Sequence, residues 1–306
     1  MVLVFVTSDK GGTGRSVTSC NIAYRTALAS QEACYLDFDF GSPTAGAIFN
    51  ITSVASGVER DGLHSYLHGR AATPVRFDVW ASSDRQSLRQ RPPGAAQLVL
   101  VPGDHGGSEF PNNPEVNRRC AELFSQMEEE FDLTIVDLSA GRSYATDMVL
   151  AATAMPNLRK ITARWLVFHR WTRQHVAAAA NLVYDEGGIL ATGERHGHDP
   201  QALADSIRFV RTAVIDPFAK EVAELRPSQV AFLRSCDQEL NDLAKIRNVG
   251  RTKVISVVPL DPLLQWREQL ISNNDVWESK IANTETVAAF EDLAKSLMDD
   301  KAWEIL

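Results

Sequence analysis

The chain has 306 residues, 44% of them hydrophobic and 23% charged, and its 31 Lys and Arg against 39 Asp and Glu leave a net charge of −8. Such proportions belong to a globular protein long enough to bury a substantial core. The acidic balance excludes a wholesale nucleic-acid coat but leaves room for a local basic patch. Cys20, Cys34, Cys120 and Cys236 are scattered, with no C-x-x-C pair, which reads as reduced buried thiols of a cytoplasmic protein and not as a metal site. The amino terminus lacks a basic n-region, and no apolar run approaches the ~18 residues of a membrane span. A soluble, cytoplasmic protein without a transmembrane segment is expected.

In chain order, the pattern predicts a strand over 2–7, a helix over 16–29 and strands over 33–37 and 97–101. A helix over 114–130, a strand over 133–137, a helix over 146–154, a strand over 164–168 and a helix over 172–184 follow. A strand over 207–215, a helix over 227–246, a strand over 253–258 and a helix over 285–298 complete the pattern. Most of the strands are near-continuous apolar runs, as strands covered on both faces should be. The alternation predicts an α/β fold: a mostly parallel twisted sheet with helices on both faces. No linker divides the chain, so a single domain over 1–306 is expected, with a loop insertion at about 187–204 and a divergent helical segment at about 217–250. His196 and His198 fall in that Gly- and His-rich stretch, where a solvated surface loop is the expectation, since no third metal ligand is in sight.

The turn after the first strand, Asp9 to Ser16, reads DKGGTGRS. Strand, glycine-rich turn and helix form the context of a phosphate-binding loop. Gly11, Gly12 and Gly14 let successive amide groups converge on phosphate oxygens, and the helix start adds a positive dipole end. Ser16 stands where a hydroxyl would coordinate Mg²⁺. The strict pattern G-x-x-x-x-G-K-[ST] is broken by Asp9 and, more seriously, by Arg15, because the planar guanidinium does not replace a threaded lysine. Two further groups stand in the expected order. Asp37 and Asp39 lie two apart at the end of an apolar strand, which places them on one side of an extended chain. Asp137 ends another apolar strand before a small-residue turn, Ser139-Ala140-Gly141, a way of presenting a carboxylate to a metal-bound water beside a γ-phosphate.

These motifs resemble the ParA/MinD family of deviant-Walker P-loop ATPases. Lys10-Gly11-Gly12-Thr13-Gly14-Arg15-Ser16 matches K-G-G-x-G-K-[ST], Asp37-Phe38-Asp39 matches D-x-D, and Asp137 with the following turn matches the Walker B strand and switch. Weaker echoes continue in Val101-Pro102-Gly103 and at Val257 to Pro262. The resemblance implies ATP and Mg²⁺ as cofactors and a homodimer formed on nucleotide binding. Lys10 would reach the partner's phosphates, and Asp39 would position the attacking water. Ser16 would hold the metal directly and Asp137 through its water shell. Lys10, Gly11, Gly12, Thr13, Gly14, Arg15, Ser16 and Val17 would line the phosphates. Arg15 departs from the second lysine, so an ATPase of low turnover is expected. The family's adenine-binding Asn is replaced by Arg211-Thr212.

Members of such a family position cargo, so a role in partition or subcellular positioning with a protein partner is implied. Arg159, Lys160, Arg164, Arg170 and Arg173 lie in a stretch from Met148 to Tyr184 without Asp or Glu. Two readings stand there: a non-specific DNA contact, or solvated and ion-paired arginines. The alternative to a hydrolysing switch is a hydrolysis-deficient nucleotide-binding scaffold or adaptor. A bacterial tyrosine kinase would need a tyrosine cluster near the carboxyl end, yet the last tyrosine is Tyr184.

Overall fold

The computed structural model describes residues 1–304. Eight strands form one sheet: β1 (Val2–Thr7), β2 (Ala33–Phe38), β3 (Phe77–Asp78), β4 (Leu98–Val101), β5 (Leu133–Leu138), β6 (Thr162–Arg170), β7 (Ile207–Val214) and β8 (Val254–Pro259). Their order is β3-β4-β2-β5-β1-β6-β7-β8. All pairings are parallel except that of the two-residue edge strand β3. This is the α/β sheet anticipated from the apolar runs.

Burial on both sides follows from the alternation of side chains along each strand. Leu3 and Phe5 of β1 join Leu36, Phe38 and Val136 in one core, beneath the helices Pro114–Glu130, Tyr144–Thr153 and Arg173–Tyr184. Val2, Val4 and Val6 join Tyr35, Leu133 and Ile135 in the other, beneath Arg15–Leu28 and Thr284–Met298. The central strand β1 is therefore apolar from Val2 to Val6, with no polar face to solvate. Asn113 caps its helix by accepting hydrogen bonds from the amides of Glu115 and Val116, and Pro114 follows at the first helical position, where its missing N–H is no loss.

One expectation is corrected. The stretch at about 187–204 is not a loop: it contains the helices Ile189–His196 and Pro200–Asp205. The first ends at Gly197, whose φ of 93° supplies the left-handed stop. His196 contacts Asp147 at 2.8 Å and His198 the Leu150 carbonyl at 2.8 Å, so the two histidines fasten this hairpin to the helix Tyr144–Thr153. Among the described residues, no group of three His, Cys, Asp or Glu could hold a metal ion. The segment at about 217–250 carries the helix Pro227–Ile246. Among the described residues, no helix is long and apolar enough to cross a membrane. Cys20, Cys34 and Cys120 are buried and Cys236 half-buried, all as free thiols.

Candidate nucleotide site

Parallel strands end together, so β1, β2, β5, β6, β7 and β8 deliver Thr7, Phe38, Leu138, Arg170, Val214 and Pro259 to one edge of the sheet, where open α/β folds bind ligands. The turn after β1 takes left-handed φ values at Gly12 (72°) and Gly14 (73°), a backbone that suits glycine. Gly14 begins the helix Arg15–Leu28 without a side-chain cap, leaving the first-turn amides free to meet an anion. A Cβ placed on Gly11, Gly12 or Gly14 would meet no atom within 4 Å; the space above the turn is open.

Two cavities adjoin the turn. One, of about 170 Å³, is lined by the turn together with Ser16, Asp39, Thr44 and Ala140. The other, of about 240 Å³, runs from Gly12 and Gly14 to Thr212, Ala213, Val258, Pro259 and Leu264. Gly12, Thr13, Gly14, Val17 and Glu268 border both. The turn is thus the shared wall of a polar cavity and of a partly apolar one, a pairing whose shape suits a nucleotide.

The second chamber contains residues that sequence reasoning left unassigned. The β7–β8 register shifts between Arg211 and Val214, and Ala213 has a φ of 51°. The irregularity re-aims the strand end. Thr212 donates its hydroxyl to the Thr13 carbonyl at 2.6 Å, tying β7 to the phosphate turn, and lines the chamber. Arg211 stays outside it, its guanidinium 3.7 Å from the Trp171 ring centroid.

The acidic groups do converge, but on a cation of the chain itself. Arg15 is buried. Its Nη2 donates to Asp39 at 2.9 Å, and its Nε lies 2.5 Å from Asp137 Oδ1, away from the hydrogen-bonding direction. Nη1 and Nη2 reach the Ser8 and Ser16 hydroxyls only at 3.5 Å. Burial pulls the Arg15 pKa down, but Asp137 and Asp39 outweigh it and the net direction is upward, so the guanidinium stays charged. Burial pushes the Asp137 carboxyl up against the pull of Arg15 and of hydrogen bonds from Ser16 and Tyr35. Tyr35 donates to Asp137 Oδ2 at 2.7 Å and meets the Ser19 hydroxyl at 2.9 Å. Its part was legible after the fact: Tyr35 and Asp37 alternate along β2, with Asp39 one residue beyond its end. Asp37 serves the backbone, accepting from the amides of Asp39 at 3.3 Å and Ala45 at 3.0 Å.

In this arrangement a magnesium ion does not fit beside the turn. A divalent ion about 4 Å from the guanidinium would be repelled by about 8 kcal/mol at an effective dielectric of about 20, and the Asp39 and Asp137 oxygens that would offset this are already engaged by Arg15. Ser16, Asp39 and Asp137 therefore do not form an open metal site here.

Lys10 is exposed at the outer edge of the turn, near His175, whose pKa is lowered by burial first and by Lys10 second. The Gly141 amide donates to the Ser8 carbonyl at 2.7 Å, joining the turn after β5 to the turn after β1.

The five basic residues of the central stretch do not form one patch. Arg164 is buried, donates to the Leu297 carbonyl, pairs with Asp300 at 2.5 Å and lies over the Trp303 ring. Arg159 and Lys160 precede β6, whereas Arg170 ends it and Arg173 follows it at the opposite edge, with Arg170 lining the second chamber. A nine-residue strand separates them, about 26 Å at the usual rise.

No family model matches the sequence, and no curated protein matches it significantly. Solved structures do match over nearly the whole chain. MinD in the MinC:MinD cell division complex of Aquifex aeolicus is 15% identical over 97% of this chain and 96% of the other, with a TM-score of 0.59. McdA of Cyanothece, as an aspartate-to-alanine variant in complex with ATP, is 11% identical over 96% and 95%, at 0.57. A plasmid partition protein of Borrelia burgdorferi is 11% identical over 96% and 96%, at 0.52. The fold is that of a P-loop NTPase. More narrowly, it is the ParA/MinD type of that fold.

Proposed function

We propose that the chain is an ATP-binding, dimerising switch used in partition or subcellular positioning. The observation that carries this reading is the uncapped glycine turn opening into both a phosphate chamber and a base-sized chamber at the carboxyl edge of the sheet. Residues 11–17 would hold the phosphates through main-chain amides, and Thr212, Ala213 and Pro259 would flank the base. Lys10 stands free at the outer edge of the turn, where it would meet the phosphates of a second copy. The structural neighbours, which include MinD with MinC, McdA with ATP and a plasmid partition protein, are consistent with a positioning role for this chain and with a protein partner.

Size-exclusion chromatography with light scattering, with and without ATP, tests the switch. The expected result is a nucleotide-dependent dimer that Lys10→Ala weakens; a monomer under every condition removes the mechanism.

A second reading has its own support. Arg15 holds both carboxylates that hydrolysis would draw on, which favours a scaffold that binds nucleotide and does not turn it over. Phosphate release abolished by Asp39→Ala supports the switch. Nucleotide-induced dimerisation without release supports the scaffold.

A further inference from the structure

Ser16, Asp39 and Asp137 are the groups that a metal would be expected to recruit in this fold, and all three face the Arg15 guanidinium. The side chain is not a surface arginine caught in passing: it is 7% exposed, its two carboxylate contacts come from the end of β5 and from the residue that follows β2, and Tyr35 donates to the nearer carboxylate, Asp137. Guanidinium is planar, permanently charged and carries five N–H donors. Two of its nitrogens engage the carboxylates, while Nη1 has only the 3.5 Å contact with Ser8. Because Arg15 also lines the phosphate cavity, donors remain for a phosphate oxygen.

We propose that Arg15 is a built-in counter-cation that takes the place of magnesium, so that the chain binds nucleoside triphosphate equally well with and without a divalent ion. The inference rests on the nucleotide site described above. It assigns to one side chain two tasks that a lysine and a metal otherwise share: neutralising the acidic strand ends and neutralising the phosphates. The arginine is suited to this by reach and shape, since a lysine ammonium, a compact point charge, could not contact Asp39 and Asp137 through separate nitrogens.

Fluorescence anisotropy of an ATP analogue labelled on the ribose, titrated with wild-type protein in magnesium buffer and in EDTA, tests this. The two dissociation constants are expected to agree within about threefold, and in Arg15→Lys the EDTA value should weaken by about tenfold or more, near 1.4 kcal/mol. Wild-type binding that weakens about tenfold in EDTA overturns the counter-cation and leaves the nucleotide site standing. Absence of binding in both buffers removes the nucleotide site and this inference with it. An Arg15→Lys protein as indifferent to magnesium as wild type also overturns the role of Arg15. Should that variant not fold, the pair of wild-type titrations decides the matter alone.

Discussion

Replacing Arg15 by Met tests the buried charge cluster without any ligand. In the wild type, Asp137 is 1% exposed and Asp37 2%, with half-buried Asp39 nearby, and Arg15 is the cation set between Asp39 and Asp137. Methionine keeps much of the apolar stem and removes the charge, leaving Asp137 without its ion pair in a site that cannot be hydrated freely. Breaking a buried pair by deleting one partner costs about 3–5 kcal/mol, a large share of the ~5–15 kcal/mol that typically separates folded from unfolded protein. The loss should depend on pH. Without Arg15, only the hydrogen bonds from Ser16 and Tyr35 still oppose burial at Asp137, and its folded pKa rises further above the unfolded value. The folded state then binds the extra proton, so this stabilisation is full below the unfolded carboxylate pKa and is lost as pH rises from there through the folded value. Urea denaturation at pH 5 and pH 8, on wild type and variant, reads both effects. The variant should trail by about 3–5 kcal/mol at pH 8 and by less at pH 5. A variant within about 1 kcal/mol of wild type at pH 8, or a gap that widens toward acid, refutes the bridged geometry.

Three other perturbations follow from the same structure. Both oxygens of Asp37 accept backbone amides, so Asp37→Asn turns an NH₂ group toward one of them and should cost about 1–3 kcal/mol in urea denaturation; a neutral substitution contradicts those hydrogen bonds. His169 is buried, and burial lowers its pKa to about 4. Between that value and the unfolded 6.5, the unfolded chain holds the extra proton. Stability should therefore fall by about 3 kcal/mol as pH drops through this window, and His169→Phe should flatten that limb relative to wild type. Arg164→Ala should lower the thermal midpoint, since it removes contacts with Leu297, Asp300 and Trp303; an unchanged midpoint accompanied by weakened DNA binding would instead make Arg164 a surface ligand.

The strands were legible because burial on both faces imposes runs such as Val2 to Val6 that no amphipathic helix would tolerate. The helix over 114–130 was expected from its pattern, and the structure adds the reason for its start: the Asn113 cap and Pro114 at the first helical position. The short hairpin after Gly187 was not, because glycine and histidine there signal a turn, and its helices depend on docking to Tyr144–Thr153 through His196 and His198. At the candidate site, the glycine turn and the acidic strand ends were visible as spacing. The direction of Arg15 was not: it depends on carboxylates that approach only once β2 and β5 pair, with Asp37 beside Asp137 in register. The basic stretch failed as a patch for a related reason. Charge density along a sequence says nothing about which end of a strand each residue occupies, nor that the carboxyl-terminal Trp303 covers Arg164.

Calorimetric titration of the purified protein with ATP asks most directly whether the turn after β1 holds a nucleotide. One binding event per chain, abolished or strongly weakened by Gly14→Val at the left-handed start of the helix, is the expected result. No heat with ATP, or heat that the valine leaves unaltered, would contradict the placement of the ligand on this turn.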